Sequence, residues 1–271
     1  MKKLYGHIAA LMLAAVLLLT VQCGPHRYPA ELLALDSLAD SQVDSAVVLM
    51  RRLAPLMTKA SEADRRYYEL LCIKTADKAS LALPTDTATR QLVSYFENDG
   101  DRRLLPTAYY YAARIYRAHN DAPQALDYLQ KADKLLGPSP EDHRQLHLKA
   151  VVNSQTGYLF SQQKLYQEAL EAFKRAYHCD SLMNDTTGMI FNLRDLGYNS
   201  ENIGERKRSL HCFELAVRLA RQSNDSKMVA IMRTQMAAAY NLMGKYEIAL
   251  RLAKDAGRYQ NEGNLMAVYS V

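Results

Sequence analysis

The sequence contains no tryptophan, and only 8 prolines and 11 glycines occur among its 271 residues. Proline and glycine interrupt helices more than other residues do, so their scarcity leaves room for long helices. It also excludes collagen-like chains and disordered chains rich in these two residues. Because 49% of the residues are hydrophobic and 23% are charged, the composition favours an ordered, helix-rich protein.

A strong excess of one charge is also missing. The formal net charge is +5, and it falls to about +3 without Lys2 and Lys3 at the N-terminus. Acidic and basic residues are interleaved along the rest of the chain. Proteins that bind nucleic acid concentrate positive charge on one face, so we do not expect nucleic acid as a partner.

Enzyme motifs are scarce. The sequence has no glycine-rich phosphate loop and no GxSxG turn. Ser161 and Lys164 have SxxK spacing, but they fall at a predicted turn and lack companion motifs. His143 and His147 lie four residues apart without the Glu of HExxH, and we expect them to face solvent. We therefore expect no enzyme activity, no metal and no cofactor. An enzyme of the cell envelope is the least favoured of the functions considered.

The four cysteines do not form a disulfide framework. Cys23 follows an apolar N-terminal segment, and the remaining Cys72, Cys179 and Cys212 are odd in number and irregularly spaced. Disulfide bonds are therefore not expected to stabilise the fold.

The N-terminus is typical of an exported protein. Lys2 and Lys3 precede an apolar run from Ile8 to Val21, which matches a secretory signal peptide and is short for a membrane span. We predict that residues 1–22 are a signal peptide. All interpretations of this segment place the chain outside the cytoplasm.

The segment TVQCGP places Cys23 where bacterial lipoproteins carry their acylated cysteine. Thr20 and Gln22 differ from the leucine and the small residue that usually precede that cysteine. We predict that residues 23–28 are a tether with an acylated Cys23, which gives a lipid-anchored protein of the cell envelope that faces the periplasm. A secreted or periplasmic soluble protein and an uncleaved anchor are the alternatives.

Four similar stretches recur in the second half of the chain. They are ALDYLQKA (125–132), ALEAFKRA (169–176), SLHCFELA (209–216) and ALRLAKDA (249–256), so successive copies are 44, 40 and 40 residues apart. Another small residue precedes each copy by 12 residues: Ala113, Gly157, Gly197 and Ala237. A period in this range indicates a solenoid of helical repeats.

This arrangement resembles the tetratricopeptide repeat (TPR), which has small residues at positions 8, 20 and 27 and an aromatic residue at position 24. Phe173 and Phe213 occupy position 24, and Gly204 and Gly244 occupy position 15, which is glycine in the consensus. We predict an all-α fold, an α-solenoid of tetratricopeptide-like helix-turn-helix repeats. Positions 8 and 20 are expected to form the close contact between the two helices, with the aromatic residue filling the next layer.

The copies exceed the usual TPR length of about 34 residues by roughly six. We expect the second helix of each pair, or the loop after it, to be longer than usual. Residues 104–262 are predicted to form four repeats with a period of about 40, and residues 263–271 a C-terminal stub.

Residues 29–103 are predicted to form diverged TPR-like helical hairpins. Helical spacing of apolar residues is found in four segments: Pro29–Leu38, Val43–Leu56, Glu62–Ala79 and Thr85–Phe96. The stretch ADRRYYELLCIKTADKA (63–79), with DSAVVLMRRL before it, resembles a group of Gram-negative TPR lipoproteins. In that group a membrane helix and a regulatory output often follow the solenoid. The resemblance leaves open a sensor or regulatory protein that has lost its C-terminal output module.

The first helices of TPR proteins line a concave groove that binds peptides through positions 2, 5, 9 and 12. The groove residues predicted here are Tyr110, Arg114, Arg117, Ser154, Tyr158, Arg194, Tyr198 and Asn241. Tyr and Arg often dominate the binding energy of interfaces, so we expect a protein or peptide ligand there. A solvated groove wall is the alternative, and the Lys and Asn clamp of chaperone-binding TPR domains is missing. The interpretation favoured by the sequence is a membrane-tethered periplasmic scaffold.

Overall fold

The computed structural model describes residues 26–138, 140 and 142–257. These residues form α-helices and one 3-10 helix, and no strand occurs among them, so the predicted all-α fold is confirmed. The α-helices are α1 (Ala30–Ser41), α2 (Val43–Leu53), α3 (Glu62–Lys78), α4 (Asp86–Asn98), α5 (Leu105–Ala118), α6 (Ala122–Leu136), α7 (His143–Gln162), α8 (Tyr166–Met183), α9 (Thr186–Asn202), α10 (Arg206–Gln222), α11 (Ser226–Leu242) and α12 (Tyr246–Gly257). None of these helices is both long enough and apolar enough to span a membrane. The chain divides into two compact units at the Tyr111–Ala112 bond.

In the first unit, α1, α2 and α3 pack around a core of leucine side chains that includes Leu32, Leu35 and Leu49. The predicted helix over Val43–Leu56 is shorter in the structure, where α2 ends at Leu53 and a 3-10 helix covers Ala54–Lys59. Pro55 lies at the start of that 3-10 helix, and its missing N–H interrupts the α-helical hydrogen bonds.

A buried charge cluster connects α1 to α3. The Lys74 ammonium lies 2.7 Å from a carboxylate oxygen of Asp36 and 2.6 Å from one of Asp40. The Tyr67 hydroxyl donates a 3.0 Å hydrogen bond to Asp36. Lys74 and Asp36 are both 7% exposed, so removing Lys74 would take away the ammonium group that pairs with the buried Asp36 carboxylate and should lower stability.

In the second unit, helices pair in chain order as α5/α6, α7/α8, α9/α10 and α11/α12. Contacts join α7 to α8, α9 to α10 and α11 to α12 within pairs, and α6 to α7, α8 to α9 and α10 to α11 between pairs. In the first pair, the rings of Tyr116 and Tyr128 stack with their centroids 5.5 Å apart. Each pair therefore packs on its neighbours in sequence, as in repeat proteins.

From α7 onward, the additional residues of the repeats lie in the helices. The turns from α7 to α12 are two or three residues long, whereas α9, α10 and α11 each contain 17 residues. The four residues at position 15 all have positive φ: Asn120 (62°), Lys164 (61°), Gly204 (82°) and Gly244 (73°). Only glycine adopts this conformation without steric cost, which explains its place in the consensus.

Turns between repeats use aspartate caps. Asp185 accepts a hydrogen bond from the Gly188 N–H at 3.0 Å, and Asp225 accepts one from the Met228 N–H at 2.9 Å. Each cap satisfies a backbone donor that has no partner within the helix.

Within a repeat, the aromatic residue at position 24 packs directly on the small residue at position 8. A Cβ atom added to Gly197 would lie 2.4 Å from the Phe213 ring, and one added to Gly157 would lie 3.0 Å from the Phe173 ring. The expectation that the aromatic residue fills the next layer is therefore wrong, because its ring occupies the space left by the missing Cβ atom. Where position 8 is Ala113 or Ala237, position 24 carries the smaller side chains of leucine and alanine.

A buried carboxyl group lies at the junction of α8 and α9. Asp180 is 4% exposed, and its Oδ2 accepts a 2.6 Å hydrogen bond from the Asn192 amide. Burial, reinforced by the negative charge of Asp185, raises the pKa of Asp180 to about 7. The Asn192 hydrogen bond acts in the opposite direction.

We expect Gly197→Ala to lower the free energy of unfolding by about 1–3 kcal/mol, because the added methyl group overfills the contact with Phe213. In a Phe213→Leu background, the same change should cost less, since the shorter side chain leaves room. Urea denaturation of the four proteins of this double-mutant cycle gives the coupling energy. Equal costs in the two backgrounds would show that the contact does not limit the helix approach. Gly157→Ala, with its longer 3.0 Å contact, should be less destabilising than Gly197→Ala.

We expect the unfolding free energy of Asp180→Asn, relative to that of the wild type, to increase as the pH rises. Because the pKa of Asp180 is higher in the folded chain than in the unfolded chain, its contribution to stability is present in acid and is lost as the pH rises to about 7. Asparagine stays neutral and keeps an oxygen that accepts the Asn192 hydrogen bond. Between about pH 5 and pH 8, the unfolding free energy of the variant relative to wild type should increase by on the order of 2–4 kcal/mol. A difference that is independent of pH would contradict this assignment.

Candidate functional site

The predicted groove face is accessible along the first helices α5, α7, α9 and α11. Every side chain at positions 2, 5, 9 and 12 of these helices is half-buried or exposed. Tyr158 and Tyr198 stand out, because 41% and 50% of their surfaces are exposed. Large aromatic side chains in contact with water are available to a partner at little cost in conformational entropy.

The structure brings three of the predicted residues together at the seam between α5 and α7. The guanidinium groups of Arg114 and Arg117 both donate to the side-chain oxygen of Gln155, with a distance of 3.0 Å for Arg114. The Arg117 guanidinium also lies over the Tyr158 ring, 4.5 Å from its centroid. A neutral amide oxygen thus holds two cations side by side, next to an exposed aromatic ring.

Gln155 is the residue that the sequence analysis missed. It occupies position 6, between the groove positions 5 and 9, and its partners are 38 and 41 residues away in the chain. The repeat period is the only feature of the sequence that could have revealed this contact. It places position 6 on the first helix of one repeat near positions 9 and 12 on the first helix of the preceding repeat.

A polar cavity adjoins this cluster. It has a volume of about 520 Å³, and Arg117 lines it together with the amide side chains of Asn120, Gln162 and Gln163. Amide groups both donate and accept hydrogen bonds, so they can pair with a peptide backbone in either orientation.

Ser154 is joined to the buried carboxyl group at the α8–α9 junction. Its hydroxyl donates a 2.9 Å hydrogen bond to the Asn192 side-chain oxygen, and Asn192 in turn donates to Asp180. This predicted groove residue therefore has a partner on the next repeat and helps to orient α7 relative to α9.

Arg194 has partners on its own helix. Its guanidinium lies 2.8 Å from an Asp195 carboxylate oxygen and 5.1 Å from the centroid of the Phe191 ring. Burial raises the pKa of Asp195, although the neighbouring Arg194 acts against this shift. The positive charge of Arg194 is thus partly neutralised by Asp195.

Asn241 and Tyr110 are the remaining predicted groove residues. Asn241 is half-buried near the end of α11, where its carbonyl oxygen accepts a hydrogen bond from the Gly244 N–H at 2.9 Å. Tyr110 belongs to the first unit, is half-buried, and has its ring 5.0 Å from that of Tyr111. Cys23 lies outside the described residues. Among the described residues, no group of three or more His, Cys, Asp and Glu side chains is placed to hold a metal ion.

The geometry at the α5–α7 seam suits a negatively charged ligand. A guanidinium group has five N–H donors in a planar arrangement and pairs with carboxylates through two parallel hydrogen bonds. Two such groups beside an aromatic ring offer charge, directional donors and apolar area in one place. We call this cluster of Arg114, Arg117, Gln155 and Tyr158 the arginine seam.

The sequence matches no known protein-family profile and no curated protein. Its fold is nevertheless similar to solved helical-repeat structures. The apo form of RapI has a TM-score of 0.68 and 13% identity over 88% of this chain and 78% of its own. A Rap protein complexed with Competence and Sporulation Factor has a TM-score of 0.61 and 14% identity over 88% of this chain and 66% of its own.

The TPR-like repeats of a Podosopora anserina kinesin light chain have a TM-score of 0.59 and 12% identity. The alignment covers 76% of this chain and 99% of the repeat protein. At such low identities these similarities concern the fold. They agree with the period of the repeats and with the helix pairs: the chain is an α-solenoid of tetratricopeptide-like repeats.

Proposed function

We propose that this protein is a membrane-tethered scaffold of the cell envelope that binds a protein or peptide in the groove of its second unit. The observation that carries the proposal is the arginine seam, in which Arg114 and Arg117 converge on Gln155 beside the exposed Tyr158. The similarity to a Rap protein solved with Competence and Sporulation Factor supports a binding function for this fold.

The ligand that fits the arginine seam is an extended or helical peptide segment with acidic side chains. Its carboxylates would pair with the two guanidinium groups, and an apolar side chain would pack on Tyr158. The adjacent polar cavity, with its three amide side chains, would accept neighbouring backbone groups of the same segment.

The proposed location rests on the N-terminal sequence. A basic start, an apolar run and a cysteine directly after it would direct the chain out of the cytoplasm and anchor it through Cys23. A lipid anchor would hold the binding face near the membrane, where the local concentration of envelope partners is high.

A regulatory function is the second candidate. It is favoured by the resemblance of residues 63–79 to TPR lipoproteins that carry a regulatory output, and by the Rap structure with its bound factor. In that case the peptide would be a signal. The arginine seam would bind the ligand in both cases.

Peptides selected from a random display library on the wild-type protein should be enriched in Asp and Glu. Arg117→Ala combined with Tyr158→Ala should weaken the best selected peptide about tenfold or more, measured by fluorescence polarisation. Because the contact is charged, the wild-type affinity should also fall with added salt.

Lys174→Ala is the control for this experiment. Lys174 is partly exposed, pairs with Glu171 on α8 and lies outside the groove positions. The proposal fails if the double variant keeps the wild-type affinity, or if selection gives peptides without acidic enrichment. Helix content measured by circular dichroism should be the same in all variants.

Cys23 should be labelled when cells are fed a palmitate analogue, and Cys23→Ala should abolish the label and release the protein from the membrane fraction. Cys72→Ala should keep both the label and the membrane association. A wild-type protein that is unlabelled and soluble would favour the secreted alternative and would show that Gln22 and Thr20 prevent acylation.

A further inference from the structure

An apolar cavity opens in the first unit, separate from the groove. It has a volume of about 560 Å³ and lies between α2, α3, α4 and the segment that joins α3 to α4. Its walls are mainly aliphatic side chains, among them Met50, Ile73, Leu83 and Leu92. Cavities that bind small molecules commonly have this size and an apolar lining with few polar groups.

The cavity exists because small residues line it and because the α3–α4 segment is held over it. Ala54, Ala76 and Ala88 are among the lining residues, and none has a side chain that could fill the space. Ser80 has φ of +55°, and the following Leu81 N–H donates a 2.8 Å hydrogen bond to the Ala76 carbonyl oxygen. This is the usual left-handed end of an α-helix, and it fixes where the α3–α4 segment begins.

A hydrogen bond connects two walls of the cavity. The Tyr68 hydroxyl donates a 2.7 Å hydrogen bond to the Met50 carbonyl oxygen and so connects α3 to α2 across the cavity. Cys72 is half-buried in the lining, and burial raises the pKa of its thiol to about 11. The cavity is therefore formed before any ligand binds.

The rim of the cavity carries a cation. Arg51 lines it and is exposed near the end of α2. The other charged lining residue, Glu69, has a carboxylate oxygen 3.0 Å from an Arg66 guanidinium nitrogen, which partly neutralises its charge. An apolar cavity with an exposed cation on its rim can hold a molecule with an apolar body and a negative end.

We propose that this cavity is a second binding site, specific for a small amphiphilic anion whose aliphatic chain lies on the apolar walls and whose carboxylate pairs with Arg51. The site lies in the first unit, and its test does not depend on whether the groove binds a peptide. The ligand class follows from the volume, the lining and the rim charge together.

Decanoate, used below the concentration at which it forms micelles, is a suitable probe for the full-length protein. Since Cys72 lines the cavity, bound decanoate should shield its thiol from N-ethylmaleimide. Peptide mass spectrometry measures the rate at which Cys72 is alkylated. This rate should fall about fivefold when the concentration of free decanoate is about four times its dissociation constant. Decyltrimethylammonium, with the same chain and the opposite charge, should leave the rate unchanged.

Variants test the apolar walls and the rim charge separately, with the affinity for radiolabelled decanoate measured by equilibrium dialysis. Ala88→Phe fills the cavity and should weaken binding about tenfold or more. Arg51→Gln should weaken it about two- to fivefold, the range of a partly exposed ion pair. Arg52→Gln removes the same charge at the adjacent exposed residue outside the lining, and should bind decanoate like the wild type.

Circular dichroism establishes that each variant is folded; if Ala88→Phe is not, the comparison of Arg51→Gln with Arg52→Gln decides the question. The proposal is overturned if decanoate does not protect Cys72, or if the ammonium compound protects it equally, which would leave only a non-selective apolar surface. Equal losses of affinity in the two arginine variants would overturn it as well, because they would indicate a general effect of net charge.

Discussion

The packing of an aromatic ring on a residue without a side chain sets the distance between the two helices of a repeat. Phe173 and Phe213 are almost completely buried, and their rings fill the space above Gly157 and Gly197. The first helix of the next repeat packs on the second helix of the pair, so this distance also affects where the groove residues of neighbouring repeats lie. Alanine at position 8 is paired with a smaller residue at position 24, because a Cβ atom and an aromatic ring would compete for the same space.

The arginine seam depends on this framework. Two guanidinium groups repel one another, and their approach requires an acceptor at a defined point between them. Gln155 supplies that acceptor from α7, while both arginines lie on α5. A shift of one helix by a fraction of a turn would separate these groups, because a side chain follows the rotation of its helix. The ligand preference that we propose is thus a consequence of repeat packing.

The two units use different means to create a binding surface. In the second unit, polar and aromatic side chains project from regularly repeated helices. In the first unit, a short 3-10 helix after α2 interrupts the regular packing, and alanines are among the residues that line the cavity. The buried cluster of Lys74, Asp36 and Asp40 joins α1 to α3 in the same unit, which stabilises one wall of the cavity.

The sequence by itself determined the helical class, the repeats and most turns. These features depend on local preferences: small residues recur at a fixed period, Asp185 and Asp225 cap helices, and Gly204 and Gly244 allow positive φ. The predicted groove positions proved accessible, since a helix of known phase presents the same face in every repeat. The proposed acylation of Cys23 also rests on sequence alone.

Only the tertiary structure decided which of these side chains meet. Arg117 joins Gln155 and Tyr158, which are about 40 residues away in the chain, whereas Arg194 pairs with its neighbour Asp195. The repeat period places such residues on adjacent helices, but the side-chain rotamers and competing partners select the contacts. The raised pKa of Asp180 and the cavity beside Cys72 likewise depend on burial by several elements. Burial is a property of the packed chain, so a pattern along one helix does not reveal it.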